Sequence, residues 1–303
     1  MGSMRKGRPG GAALPRTRRV RGRREALHFY KVSGAGNHFV LLDVRKEEPA
    51  MRRPPLVRAL CVKAHSVGAD GVLFVEGSRD ADFNLSYYNS DGGEAALCGN
   101  GARCAAVYAF EKGIAGCCMS VGTRCGTIRA RIKEGVVELE LEEARNLKQN
   151  VAVLTDNGRI LGSFVETGVP HFVTIVADVN GVNVEVLGRQ IRHHRLFQPE
   201  GVNVNFVQLL ADGSASIRTY ERGVEAETLA CGTGAAAAAV YLVANRLVRA
   251  PVRLSTRGGD VLLVEFGNPS NPLQQLTLVG PARVVYEGDV AYALLRQVLR
   301  RRG

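Results

Sequence analysis

The sequence predicts an α+β protein of two pseudo-symmetric domains, each a curved, mostly antiparallel sheet wrapped around a buried central helix. A site is expected in the cleft between them. Three observations lead there: an internal repeat, strand-like alternation inside each copy, and a helix in each copy that lacks a polar face. Cys98 opens CGNGARCAAVY and Cys231 opens CGTGAAAAAVY, identical at eight of eleven positions and 133 residues apart. At the same offset His38-Phe39-Val40 meets His171-Phe172-Val173, Gly68-Ala69-Asp70 meets Gly201-Val202-Asn203, and Thr123-Arg124-Cys125-Gly126 meets Thr256-Arg257-Gly258-Gly259. Four matches in one register imply two copies of one structural unit.

Each copy reads alike. A glycine-rich turn leads into apolar runs at 39–44 and 172–176, predicted as strands. Second strands follow another glycine turn at 72–75 and 205–210. Apolar–polar alternation at 82–87 and 216–220 has the period of a half-buried strand. The Cys-Gly-x-Gly turn then opens a helix of small residues, 102–112 and 235–246. Residues 235–240 are apolar all round, so that helix must be buried. Alternating strands at 128–132 and 261–266 close the units. The expected organisation is a basic disordered leader at 1–27, a first domain at 28–140 and a second at 141–275. The segment 276–303, with Val284-Val285-Tyr286, is expected to return to the first.

Composition narrows the function. Hydrophobic residues make up 46% and charged residues 23% of 303, which excludes global disorder. No apolar run reaches the ~20 residues of a membrane helix, so no membrane partner is expected. The net charge of +11 is mostly local, because residues 1–24 hold nine of forty basic side chains and no acid. A body with 31 basic and 29 acidic residues has no basic face, and nucleic acid is not an expected partner. A transit peptide fits the leader poorly, since serine is nearly absent and no cleavage pattern is visible.

Seven cysteines, unevenly spread and without paired C-x2-C units or neighbouring histidines, argue against a disulfide framework or a metal site. They fit free thiols in a reducing cytoplasm. Cys61, Cys104, Cys117, Cys118 and Cys125 are expected to be core or incidental residues. Cys98 and Cys231 differ, because each immediately precedes Gly-x-Gly at a helix start. Free amides and the positive end of the helix dipole converge there, so a thiolate is expected to be stabilised. The glycines allow close approach, and the amides can hold a carboxylate or phosphate.

A lone Cys-Gly-x-Gly is more often a tight helix cap. Duplicated about a pseudo-twofold axis, it sets one thiol on each side of a bound molecule. That suits inversion of a carbon centre without metal or organic cofactor, with a base on one face and an acid on the other. The amides would stabilise the developing enolate of a bound α-carboxylate. A cysteine hydrolase needs one nucleophile and a histidine partner, and gives no reason to duplicate the cysteine.

The segments GAGNHFV (34–40), YYNSDGGEAALCGNGARC (87–104), TGVPHFV (167–173), GVNVNF (201–206) and YERGVEAETLACGTG (220–234) resemble the diaminopimelate epimerase family. The resemblance runs from about Tyr30 to the C-terminal region. It implies interconversion of LL- and meso-diaminopimelate without pyridoxal phosphate, in lysine and peptidoglycan precursor biosynthesis, by a cytoplasmic homodimer. By the same resemblance Cys98 and Cys231 are the two bases, with His171 and Glu221 assisting the thiols. Gly99, Asn100, Gly232 and Thr233 match positions whose amides hold the reacting carboxylate. Asn37, Asn89, Asn203, Glu221 and Arg222 match residues that bind the distal amino-acid end. A guanidinium suits a distal carboxylate, and a carboxylate suits a distal ammonium.

Two positions depart from the family pattern: Val169, where many members have asparagine, and Gly71, where many have glutamine. Taken alone, Asn37 and Asn89 could serve turns, His171 a turn after Pro170, and Glu221-Arg222 a surface pair. His193-His194-Arg195 reads as a solvated loop. Rival readings are a proline racemase or hydroxyproline epimerase, which need no distal site, and a phenazine-biosynthesis-like isomerase, which lacks the cysteine pair. A redox switch between Cys98 and Cys231 would leave the anion-binding glycines unexplained.

Overall fold

The computed structural model describes residues 25–95 and 97–301. The arginine-rich stretch up to Arg24 lies outside the described residues. In the first repeat the order is β1 (Ala26–Gly34), β2 (Asn37–Asp43), α1 (Arg53–Leu60), β3 (Gly71–Glu76), β4 (Phe83–Asn89), β5 (Glu94–Ala95), α2 (Gly99–Glu111), β6 (Cys118–Thr123), β7 (Gly126–Lys133) and β8 (Val136–Glu140). A hairpin of β9 (Arg145–Thr155) and β10 (Gly158–Glu166) leads into β11 (Pro170–Ile175), α3 (Val184–Arg192), β12 (Asn203–Leu209), β13 (Ala215–Glu221) and β14 (Ala226–Thr228). Then come α4 (Gly232–Ala244), β15 (Val252–Ser255), β16 (Val261–Phe266), β17 (Leu276–Gly280), β18 (Arg283–Ala291) and α5 (Tyr292–Arg300).

The strands form one continuous ladder that reads the same from either end. From β10 it runs to β11, β12, β13, β15, β16 and β17, and from β1 it runs to β2, β3, β4, β6, β7 and β8. Both arms have the same order of parallel and antiparallel pairs, with β11–β12 matching β2–β3 and β13–β15 matching β4–β6 as the parallel ones. Even the register is shared: Phe39 faces Gly71, and 133 residues later Phe172 faces Val204. The arms meet where β17 pairs antiparallel with β8, Leu278 opposite Leu139. At the far ends β18 pairs with β1 and β9 with β10, so these two strands are counterparts as well.

Strands β2, β3, β11 and β12 are covered on both faces, which explains their nearly continuous apolar runs, whereas β7, β8 and β16 alternate buried and exposed side chains. Alternation still sorts the side chains. In β2, Phe39 and Leu41 join the core around α2, while Val40 and Leu42 face the outer core of α1 and α5. In the other arm Val173 and Val207 pack on α4, while Phe172 and Phe206 pack with Val184 and Ile191 of α3. Residues 235–240 of α4 are wholly buried, as a helix without a polar face must be.

Several boundaries differ from the sequence reading. Helices α2 and α4 start at Gly99 and Gly232, three residues earlier than their apolar runs, because Cys98 and Cys231 cap them. The sequence reading joins the two units around residues 136–150, but this stretch is no bare connection: β8 lies where the arms meet and β9 forms the outer edge of the second arm. Strand β1 already includes Ala26 and Leu27, which pair with Ala291 and Val290. Strand β17 packs into the second core through Leu276 and Leu278, whereas Ala282 and Val284 pack on the first. Among the described residues no helix is long and apolar enough to cross a membrane.

Leu278 occupies the joint of this arrangement. Its Cδ2 lies 3.8 Å from where a Cβ on Gly99 would be and 2.8 Å from where one on Gly232 would be, so one methyl fills the space under both helix starts. Leu278→Ala should lower unfolding free energy by about 2–5 kcal/mol, read from the urea midpoint at unchanged slope. A loss below about 1 kcal/mol would mean that the joint collapses around the cavity instead of depending on this side chain.

Candidate functional site

Cys98 and Cys231 are equivalent in backbone and in bonding. Their N-cap conformations are φ −130°, ψ 113° and φ −126°, ψ 114°. Each sulfur accepts the backbone N–H three residues on, Gly101 at 3.5 Å and Gly234 at 3.4 Å. Gly234 cannot carry a side chain, since a Cβ there would lie 2.4 Å from Asn205 Oδ1. Thr233 Oγ1 lies 3.5 Å from Cys231 Sγ, and the Thr233 carbonyl accepts the Thr167 hydroxyl at 2.9 Å.

The turn between β1 and β2 delivers Asn37. Ala35 and Gly36 both have positive φ, 48° and 88°, as a two-residue hairpin turn requires, and Gly36 packs directly on Leu229 of the other repeat. Asn37 Oδ1 accepts Asn100 Nδ2 at 2.6 Å, and the same Asn100 amide reaches the Ala230 carbonyl at 3.3 Å. One buried amide thus joins the first helix start to the residue before Cys231. Asp70 Oδ2 holds the turn by accepting His38 N–H at 3.0 Å and Asn37 Nδ2 at 3.4 Å. Its counterpart Asn203 donates to the Pro170 carbonyl at 3.2 Å, and its Oδ1 accepts Arg222 N–H at 2.8 Å. The Arg222 guanidinium donates to the Glu200 carbonyl at 3.3 Å.

Burial governs the titrations. The sequence reading expects lowered thiol pKa values, and the structure overturns this: desolvation pushes Cys98 up to about 11 and Cys231 higher still. The Gly101 and Asn100 amides and the charge of Arg103 favour the Cys98 thiolate, and the Thr233 hydroxyl and Gly234 amide that of Cys231, yet they do not offset burial. The Glu221 charge raises both thiols. Burial raises the Glu221 carboxyl itself, with the Thr228 hydroxyl opposing and Asp70 adding to the rise.

His171 is completely buried, and desolvation followed by the charge of Arg222 pushes it down to about 3, so it stays neutral. Its tautomer follows from its neighbours. Asn205 Oδ1 accepts the Thr219 hydroxyl, so the Asn205 amide NH2 donates both to the Phe172 carbonyl and to His171 Nδ1 at 3.1 Å. The proton therefore sits on Nε2, which has no partner among the described residues. Nε2–H is a buried donor left free for a ligand or a thiolate.

The structure brings Cys98, Cys231, Asn37, Gly99, Asn100, Gly232, Thr233, Glu221, Asn203 and Arg222 together around the two helix starts, with His171 joined through Asn205. Asn89 is exposed at the end of β4, opposite Gly71, the neighbour of Asp70. At Gly71 the space for a side chain is taken, since a Cβ would lie 2.6 Å from Tyr87 Cε2. Tyr87 feels the charges of Cys98, Glu221 and Asp70, and its ring occupies this side of the cleft. Asp70, Tyr87, Arg103, Thr167 and Asn205 are participants that the sequence reading misses. Asn205 had a signal, because it lies two residues from Asn203 on the same face of a strand whose intervening and following residues Val204, Phe206 and Val207 are apolar. Of the five cysteines set aside, Cys61 and Cys104 are buried, whereas Cys117, Cys118 and Cys125 are exposed.

Solved structures share this fold at low identity. A hydroxyproline epimerase from Agrobacterium vitis matches with a TM-score of 0.69 at 15% identity, covering 88% of this chain and 92% of that one. A phenazine biosynthesis protein of the PhzF family from Bacillus anthracis matches at 0.68 and 14%, covering 88% and 99%. Sequence relatives are nearer. The diaminopimelate epimerase of Aquifex aeolicus is 41% identical over 280 residues, covering 89% of this chain and 99% of its own. That of Archaeoglobus fulgidus is 40% identical over 290 residues, covering 89% and 98%. The profile of the family described as diaminopimelate epimerase matches residues 29–160 and 163–285. The chain belongs to the diaminopimelate epimerase family.

Proposed function

We propose that the chain interconverts LL- and meso-2,6-diaminopimelate by two-base proton transfer at the α-carbon, with Cys98 and Cys231 on opposite faces. The observation that carries this reading is the pair of thiol caps of matching backbone conformation, one per repeat, each at the start of its own helix, with Leu278 beneath both helix starts. Amides at Gly99, Asn100, Gly232 and Thr233 would hold the reacting carboxylate and the enolate charge that develops on it. The Glu221 charge acts on both thiols and its carboxyl has a raised proton affinity, so it is suited to take the proton that leaves a thiol. Neutral His171 would donate Nε2–H towards the resulting thiolate. Arg222 would take the distal carboxylate, with Asn37, Asn89 and Asn203 at the distal ammonium end. Residues 28–140 with the returning segment from Ala282 on, and residues 141–280, would form the two lobes that close on the substrate. The enzyme would act as a cytoplasmic homodimer, away from nucleic acid and membranes, and light scattering of the purified chain would test the dimer.

The direct experiment is incubation of the purified chain with either stereoisomer in D2O, without added pyridoxal phosphate or metal. Deuterium should enter at the α-carbon as the isomers interconvert. Activity on proline instead of diaminopimelate would overturn the substrate assignment. Cys98→Ser and Cys231→Ser should each lose at least ~1000-fold in epimerisation, because a hydroxyl is far too weak an acid to replace the thiol. With a β-leaving-group analogue, each mutant should eliminate preferentially from the opposite stereoisomer, and equal preference would reject the two-face assignment.

Arg222→Lys should lower kcat/KM for diaminopimelate at least ~tenfold, since the charge remains but the planar fork is lost. Kinetics equal to the parent would remove Arg222 from the site. Glu221→Gln tests the electrostatics, with the sign fixed by the structure. The Glu221 charge raises both thiols, so its removal should lower their pKa values. Iodoacetamide labelling of Cys98 and Cys231 in the free enzyme at pH 8 should accelerate by about threefold or more, while epimerisation falls. Slower labelling would contradict the assigned position of Glu221.

A further inference from the structure

Arg103, in the second turn of α2, is completely buried, and its Nε and Nη1 have no hydrogen-bond partner among the described residues. Its position in the second repeat is held by Ala236, so the charge is not part of the shared plan. A buried guanidinium without a carboxylate partner is costly to keep. The fold nevertheless makes room for it from the other repeat. A Cβ on Gly280 would lie 3.2 Å from Nε, and one on Gly232 would lie 3.8 Å from Nη1. The guanidinium of the first repeat is therefore seated beneath the start of α4, next to the amides that follow Cys231.

It has two evident effects on its surroundings. Nη2 donates to Asn100 Oδ1 at 2.7 Å. With Oδ1 held, the Asn100 NH2 must face Asn37 Oδ1 and the Ala230 carbonyl. A flipped amide would set its oxygen against two acceptors and leave Arg103 facing a donor. Arg103 thus fixes from the first repeat the residue that precedes Cys231. The second effect is its field. The groups it feels are Cys104 and Cys98 of its own helix and Asp260 of the β15–β16 turn. Cys98 in turn faces Arg103, the Gly101 and Asn100 amides and Glu221, of which only Glu221 opposes ionisation electrostatically. The remaining titratable neighbours of Cys98 are Cys104 and Tyr87 of the same repeat and Cys231 of the other.

We propose that Arg103 is a positioning residue of the reaction: it locks the Asn100 amide that joins the two cysteine caps, and it supplies the fixed positive charge faced by a thiolate at Cys98 and by the bound α-carboxylate. The inference rests on the two-thiol reading above for its part in turnover, but its effect on Cys98 needs no substrate.

Two variants separate the roles, each checked for folding by its melting curve. The primary readout is peptide-resolved iodoacetamide labelling of Cys98 in the ligand-free chain between pH 7 and 10. Arg103→Met removes the charge, so labelling at pH 8 should fall at least ~tenfold, a rise of about one pH unit in the Cys98 titration, and kcat should fall with it. Arg103→Lys keeps the charge but not the fork. Its Cys98 profile should stay within about threefold of the parent, while kcat drops at least ~tenfold with a smaller change in KM. An unchanged labelling profile in folded Arg103→Met would overturn the electrostatic role, and parental kcat in Arg103→Lys would overturn the positioning role. If Arg103→Met does not fold, Arg103→Lys decides alone: a Cys98 profile displaced despite the retained charge overturns the proposal. A parent chain inactive on diaminopimelate that still shows these labelling changes would reject the substrate reading and leave this one standing.

Discussion

The pairing of β8 with β17 is the constraint on which the rest of the molecule depends. It is the point where two arms of identical strand order meet, so it sets the pseudo-twofold relation between them. Leu139 and Leu278, opposite each other in that pair, lie beneath Gly99, and Leu278 also lies beneath Gly232. The helix starts are thereby brought to one place by sheet register rather than by a flexible linkage. Register is strongly specified here because β8 alternates buried Val137 and Leu139 with Glu138 and Glu140, so a slip by one residue would turn the carboxylates towards the core.

With the geometry set, burial and the helix-start amides act on the thiols in opposite directions. The amides favour a thiolate, and burial, reinforced by Glu221, favours the neutral thiol; in the free protein burial prevails. That outcome fits proton abstraction from carbon. A weakly acidic α-proton requires a strong base, and a thiolate whose conjugate acid is pushed upward is a stronger base than one stabilised at rest. The amides are then available to the carboxylate, where negative charge grows as the proton leaves. The same burial keeps His171 neutral, so its Nε2–H can donate without adding a permanent charge.

Much of this was legible in the sequence for a definite reason. A repeat at fixed offset carries its own register, so one Cys-Gly-x-Gly turn at 98 and another at 231 imply equivalent helices before any strand is assigned. The buried helices followed from alanine runs without a polar face. What was not legible depended on partners distant in sequence. The stretch 136–150 resembled a connection because the pairing that carries β8 across to the second arm is with β17, far along the chain. The lowered thiol pKa inferred from the helix starts failed because local sequence reports the dipole but not the depth of burial. Arg103 was hidden by its setting among the small residues of the first two turns of α2, with its room supplied by Gly232 and Gly280 of the other repeat.

The divergence between the halves is as informative as their likeness. The thiol caps, the glycines after them and the parallel strand register are preserved, and in the proposed two-thiol reaction these are the parts that would handle the reacting carbon from its two faces. Around them the copies differ: Asn100 faces Thr233 in the repeat, Asp70 faces Asn203, Asn89 faces Arg222, and Arg103 faces Ala236. Asp70 and Asn203 still perform the same local task, each holding the turn that precedes its neighbouring strand, but only Asn203 also accepts the Arg222 amide. A reaction that inverts one carbon requires near-equivalence across the axis at that carbon. Recognition of the rest of the molecule requires the opposite, because a distal group reaches only one side. A duplicated core with an asymmetric rim satisfies both demands, and it places the selectivity of the site in residues where the two repeats no longer agree.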